Sequence, residues 1–235
     1  MSIRRLDQKA FTIIELLIAT SVLTVILLLV TVMITGIGNL YYKGITQSQT
    51  QSTTRTIADQ LTSDLQLADG HPSLPPNPNP PPSSPNIVVV SFTDPADGTT
   101  KNIPSYAICI GTTRYSYVLN QQISSAIHVM WRDTVGSGGT CSPANLALPT
   151  PTAGGTELMG QQSRLSVLMI TDTGTNLYKV TVGVAYGDDD LLTGVNVSDL
   201  PAGTDKNVHC AAVAGNRFCA TDLLTTAAVQ RVNGS

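Results

Sequence analysis

The chain is predicted to fold as an α+β protein in which one long N-terminal helix lays its distal half on an antiparallel β-sheet. Three observations predict this. An apolar stretch of membrane length carries a single charge, an apolar stripe at helical spacing follows it, and a series of short β-rich runs separated by turn residues fills the remaining chain.

The apolar stretch comes first. Between Phe11 and Tyr42 the only formal charge is Glu15, and Leu16 to Ile34 contains only apolar residues, Ala, Ser and Thr. At a helical rise of about 1.5 Å per residue, Phe11 to Ile34 spans roughly 36 Å, more than a hydrocarbon core of about 30 Å. Residues 11–35 therefore read as a transmembrane helix. A carboxylate inside such a segment costs about 2.5–3.5 kcal/mol on insertion scales and calls for a partner other than lipid. Arg4, Arg5 and Lys9 precede the helix, Asp7 offsets one of them, and Lys43 is the only charge on the far flank before Arg55. The positive-inside rule then keeps residues 1–10 in the cytoplasm and exports the large C-terminal part of the chain.

Helical spacing continues over residues 36–70. Ile57, Leu61, Leu65 and Ala68 form one apolar stripe, with Arg55, Asp59, Gln60 and Asp64 on the opposite face, and Gly70 and Pro72 end it. The stretch Tyr41 to Thr56, rich in Gln, Ser and Thr, reads as a polar bridge between membrane and domain, with Gly36 and Gly38 as its weak points. Residues 71–86 hold eight of the chain's fourteen prolines, so they run extended as a stiff connector. Within residues 87–235, Ile87 to Phe92, Ser105 to Ile110, Thr113 to Leu119, Ala126 to Trp131, Arg164 to Thr171 and Leu177 to Tyr186 are predicted strands. Tyr115, Tyr117 and Leu119 alternate with Ser116 and Val118, the pattern of a half-exposed strand. Tyr117 and Trp131 read as packing residues. Gly136 to Gly155 and Thr193 to Val208 read as loops, and Asp222 to Val232 as a short terminal helix.

The N-terminal residues also carry a family resemblance. The basic leader (Arg4, Arg5, Lys9), the small Ala10, then Phe11, Thr12 and Glu15 in KAFTIIELLIAT resemble the class III leader of type IV prepilins and type II secretion pseudopilins. An ordinary secretory signal places its apolar region before the cleavage site, and here the order is reversed. The resemblance implies that a membrane prepilin peptidase cuts between Ala10 and Phe11 and methylates the new amine of Phe11. Residues 11–35 would then stay on the mature protein as the filament-core helix, and Glu15 would meet a Phe11 amine, its own or a neighbour's, setting subunit register. The family usually has Gly before the cut, where this chain has Ala10, and many major pilins carry a proline about twenty residues into this helix, where this chain has none before Pro72. The resemblance further implies a type IV pilin-like fold and three partners: other pilin subunits, the peptidase and an ATP-driven inner-membrane assembly platform. The location it implies is the inner membrane before assembly, then an extracellular or periplasmic filament. Thr53 to Ala68 and the FCATDLL segment around Cys219 are similar to the larger minor pilins. A pseudopilin of a type II secretion or DNA-uptake system shares the same leader and helix. A bitopic, signal-anchored surface receptor or enzyme is the alternative from a different class.

Four cysteines, Cys109, Cys141, Cys210 and Cys219, fit two disulfides in an exported domain, in any of three connectivities. Pairing Cys109 with Cys141 and Cys210 with Cys219 closes a local loop in each case, and the second loop resembles the disulfide-closed C-terminal loop of many pilins. Metal ligation has little to draw on. His209 and Cys210 are the only close pair of soft ligands, and Asp188, Asp189 and Asp190 are a weak Ca²⁺ candidate without EF-hand spacing. Asn196-Val197-Ser198 matches a glycosylation sequon. No phosphate-cradling loop, nucleophile elbow or dinucleotide fingerprint is present, so neither an enzyme nor a cofactor is expected. With net charge −3, 12% charged residues and no basic cluster beyond the leader, nucleic-acid binding is not expected either.

Overall fold

The computed structural model of the 235-residue chain describes residues 12–68, 70–74, 86–93, 98–123, 127–135, 141–144, 146, 154–174, 176–193, 208–211 and 218–231. Ala10, Phe11, most of the proline-rich connector, the sequon and much of both predicted loops lie outside these residues. The chain divides into two compact units, Met1–Tyr42 and Lys43–Ser235.

One helix, α1 (Ile13–Leu67), contributes to both units, and it runs without a break through Gly36, Gly38 and Gly44. In the second unit its buried positions are Thr46, Thr50, Thr54, Ile57, Ala58, Leu61 and Leu65. The apolar stripe expected from Ile57 onward therefore begins eleven residues earlier, in the part read as a polar bridge. Threonine can take these places because its hydroxyl is satisfied within the helix. Thr50 Oγ1 donates to Thr46 O and Thr54 Oγ1 to Thr50 O, both at 2.8 Å, which leaves the methyl group to face the packing.

The strands are β1 (Ile87–Thr93), β2 (Thr100–Ile110), β3 (Thr113–Val118), β4 (Met130–Thr134), β5 (Thr156–Glu157), β6 (Ser163–Asp172), β7 (Leu177–Tyr186), β8 (Leu192–Thr193), β9 (His209–Cys210) and β10 (Ala220–Val229). They do not form one sheet. A five-stranded antiparallel sheet has the order β1-β2-β3-β4-β5, a three-stranded one the order β10-β7-β6, and β8 pairs with β9. Both larger sheets pack on α1. Leu61 and Leu65 share one continuous core with Tyr106 and Tyr117 of the first sheet and Leu165 and Val182 of the second. Pro104 is tolerated inside β2 for a local reason. The Ala107 N–H donates toward β1, to Asn86 O, so by alternation the Pro104 nitrogen faces the other side, one residue past the last pairing with β3 (Ser105 with Val118).

Two expectations are corrected here. Residues 222–232 are not a helix. Ala220 to Val229 pair residue for residue with Tyr186 to Leu177, and Ala228 is fully buried in the core. The Leu and Ala content suggested a helix, but the edge of β7 supplies ten backbone partners and an apolar face, and tertiary pairing outweighs a local preference of a few tenths of a kcal/mol per residue. Nor is β3 half-exposed, since Ser116 and Val118 are as buried as Tyr115 and Tyr117. Its second face is covered by Ala144 and Leu146, which no strand periodicity announces.

Polar contacts fix α1 to its surroundings. Arg132 on β4 reaches Asp64 on the helix at 3.0 Å, and the Tyr115 hydroxyl donates to the same carboxylate oxygen. Burial, and then the neighbouring Asp64, push the Tyr115 phenol well above its usual range. The C-terminal end of the helix is closed by residues from the far end of the chain. Gln230 Nε2 donates to Ala68 O at 2.8 Å and to Gly70 O at 2.6 Å, and Arg231 N donates to Gln66 O. Replacing Gln230 with alanine is expected to lower stability by about 1–3 kcal/mol, because the buried Ala68 carbonyl loses its side-chain donor. Denaturant unfolding of the detergent-solubilised protein checks this, the expected change being in midpoint without a change in slope.

Candidate functional site

The first unit presents the feature that the sequence singled out. The helix Ile13–Leu67 is long and apolar enough to cross a membrane, and none of its most apolar window is buried within the protein. Its polar side chains are compatible with hydrocarbon because they are satisfied locally. Thr20, Ser21, Thr24, Thr31 and Thr35 each donate to a backbone carbonyl three or four residues earlier, at 2.8 to 3.0 Å. Tyr41 and Tyr42, both exposed, follow the apolar run where interfacial aromatics are favoured.

Glu15 opens this helix. Its Oε2 accepts the Thr12 N–H at 3.0 Å and the Thr12 hydroxyl at 2.8 Å, while the Glu15 N–H donates to Thr12 Oγ1 at 3.4 Å. Thr12 is thus the N-cap and Glu15 the third helical residue of a reciprocal capping box. The signal for this was present in the sequence as Thr-Ile-Ile-Glu ahead of an apolar run, and the reading of Glu15 as the partner of an amine passed over it. Among the described residues Oε1 has no hydrogen-bond partner, so the capping contacts leave half of the carboxylate to other groups. Ala10 and Phe11 lie outside the described residues.

The second unit holds the cysteines. Cys109 is joined to Cys141, with Cα atoms 5.8 Å apart, and Cys210 to Cys219, with Cα atoms 5.7 Å apart. These are the two local pairings. The Cys210–Cys219 bond links β9 to the start of β10 beside a small apolar cluster of Ala185, Leu191, Leu192 and Cys219. The Cys109–Cys141 bond ties residues 141–144 to β2. Asp189–Leu191 forms a single 3-10 turn with Asp188 and Asp190 exposed, and no group of three potential metal ligands occurs among the described residues.

A half-buried acid that the sequence did not flag sits on β5. Glu157 accepts the backbone N–H groups of Val129 at 3.0 Å and of Met130 at 2.9 Å, and also that of Met159 at 3.0 Å, with His128 Nδ1 3.3 Å from Oε2 but out of hydrogen-bond geometry. Burial raises its affinity for a proton against the pull of these donors and of His128. A carboxyl whose pKa is higher folded than unfolded stabilises most below its unfolded value and loses that contribution as pH rises through the folded one. Glu157→Gln is therefore expected to be less stable than wild type at pH 4, through lost backbone acceptance. The gap should narrow as pH rises from 4 to 7, as read from melting temperatures of both proteins across that range.

Comparison with known proteins adds nothing to this geometry: the chain matches no family model, no curated protein and no solved structure.

Proposed function

We propose that this chain is a structural subunit of a type IV pilus-like filament, of the minor, tip- or assembly-associated kind, processed by a prepilin peptidase between Ala10 and Phe11. The observation that carries the reading is one carboxylate, Glu15, in the first turn of an otherwise uncharged helix of membrane length that continues into an exported-type, disulfide-bearing α+β head. In this reading the helix stores the subunit in the membrane and later packs in the fibre core. Glu15 turns its spare oxygen to the amine of Phe11 on its own or a neighbouring subunit, and the chain has no catalytic role. The connector and the two disulfide-closed loops make a head suited to a rare position better than to the bulk of a uniform fibre.

The test is mass spectrometry of the intact protein and its N-terminus, after expression with and without the cognate prepilin peptidase. A chain beginning at N-methylated Phe11 only when the peptidase is present is the expected result. A chain that keeps its leader under both conditions is a signal-anchored membrane protein, and the filament reading then falls. Abundance in sheared filaments separates a minor from a bulk subunit.

A further inference from the structure

The three-stranded sheet ends in β10, with β7 on one side and no strand on the other. Residues 176–193 and 218–231, which hold β7 and β10, are described without a gap. Gln230 N donates to Asn176 O, and this sets the ladder: even-numbered residues of β10 exchange hydrogen bonds with β7. By alternation, the N–H and C=O groups of Thr221, Leu223, Thr225, Ala227 and Val229 point away from the sheet, and among the described residues none of them finds a backbone partner there. The side chains of the same residues are the exposed ones, Leu223 at 54% and Val229 at 58%.

A long open edge is a template for another strand, and proteins blunt such edges with charge, proline, a bulge or a covering group. The opposite edge of this sheet, β6, has two of these devices. Its register shifts between Leu165 and Val167, and Leu165 O is taken by the Asn120 N–H at 2.8 Å. In contrast, β10 keeps an unbroken register with β7 from Ala220 to Val229, has no proline or basic residue, and carries its single charge, Asp222, near one end.

We propose that the β10 edge is a self-association site, at which a second copy of the chain adds its own β10 antiparallel about a two-fold axis through Thr225 and joins the two three-stranded sheets into one. The strand fits itself. Outward groups meet only when an odd-numbered residue faces an odd-numbered one. The longest antiparallel register of that kind sets Thr225 against Thr225, Leu223 against Ala227 and Thr221 against Val229 of the second copy, each pair exchanging two hydrogen bonds. The exposed side chains then cover one another, and the Thr181 hydroxyl, 3.2 Å from that of Thr225, continues the central threonine row into both sheets. Asp222 falls opposite Ala228, so no like charges meet across the pair. An edge this poor in charge offers a foreign partner nothing electrostatic to select, whereas its own sequence satisfies the register. A strand pair of this length buries little area, which puts the association in the transient, concentration-dependent class. The site does not rest on the filament reading, since β10 has the same edge whether the chain is cut after Ala10 or keeps its leader.

The experiment uses the full chain in detergent micelles over a concentration series, and reads sedimentation mass together with residue-resolved hydrogen exchange along β10. On concentration the mass should pass from one copy to two. The amides of Leu223, Thr225 and Ala227 should then slow by about tenfold or more, while those of Leu224 and Thr226, already held by β7, change less. Thr225→Pro removes an outward N–H and leaves the hydrogen bonds to β7 in place, and Thr225→Lys sets two cations face to face at the two-fold axis. Both variants should weaken dimerisation by about tenfold or more with Tm within about 2 °C of wild type, and the lysine variant decides the matter if the proline lowers Tm further. The proposal is overturned if the chain stays monomeric at every concentration, or if the lysine variant associates as wild type does, which would assign the contact to the apolar helix or another edge. It is also overturned if the odd-numbered amides are already slow in the monomer, because the chain would then cover its own edge.

Discussion

Glu15→Leu is expected to leave the protein in the membrane and to remove it from sheared filaments. Insertion does not suffer, because a leucine in place of a carboxylate lowers the cost of burying this turn in lipid. Two things are lost at once: the charge proposed to align subunits, and the side-chain acceptor for the Thr12 N–H. Glu15→Gln separates them. Glutamine serves in the third position of a capping box, so the helix start is kept while the negative charge is gone. If alignment depends on charge, Gln behaves as Leu does and incorporation drops at least about tenfold. If Gln assembles at wild-type levels, Glu15 acts through the cap alone, and Thr12→Ala should then reproduce the defect of the leucine variant. Wild-type amounts of the leucine variant in sheared filaments would remove Glu15 from the assembly mechanism altogether.

Leu61→Ala is the second large effect. Leu61 is fully buried in the middle of the helical stripe and belongs to the core that both large sheets share. Truncation there leaves a void beside a helix that sheets on two sides keep from collapsing, and the expected cost is about 2–5 kcal/mol. For a domain of this size each kcal/mol lowers Tm by roughly 2–4 °C, so the fall should be about 5–20 °C with both disulfides intact. Leu67→Ala is the matched control. Leu67 is 69% exposed, further along the same helix, and its loss should move Tm by no more than about 2 °C. Equal effects at the two positions would mean that the helix does not pack on the sheets through this stripe.

The parts of the fold that were legible in the sequence are those written in local periodicity. The extent of α1, its buried leucines and most of the long strands follow from spacing over a few residues. Most of the misses share a cause, which is that the deciding partners lie far away in sequence. Thr46, Thr50 and Thr54 are polar by composition and become packing residues only because their hydroxyls turn back onto their own helix, leaving their methyl groups for the distant sheets. The terminal segment is a strand because β7 waits for it. The division into two sheets depends on turns whose geometry short β-rich runs do not encode. Glu15 was conspicuous for its charge, and this drew attention from the shorter-range reason for its place, a threonine three residues earlier. Glu157 went unnoticed because an isolated acid beside a Thr in a loop-like stretch gives no sign of the three N–H groups that converge on it.

The closure of α1 by Gln230 and Arg231 has a consequence for how the molecule is made. Helix α1 is synthesised first, yet the carbonyls at its distal end find their donors only when residue 230 has arrived. Until β10 has been made, Ile57, Leu61 and Leu65 are therefore an incompletely covered apolar stripe, because the β10–β7–β6 sheet that shields part of it is complete only once residues 220–229 have emerged. Contacts of such long range form slowly, and unpaired strand edges persist meanwhile. This part of the chain thus has a vulnerable interval set by the 160 to 162 residues that separate these partners, in which an outside factor that shields the stripe would raise the yield of folded protein without altering its final stability.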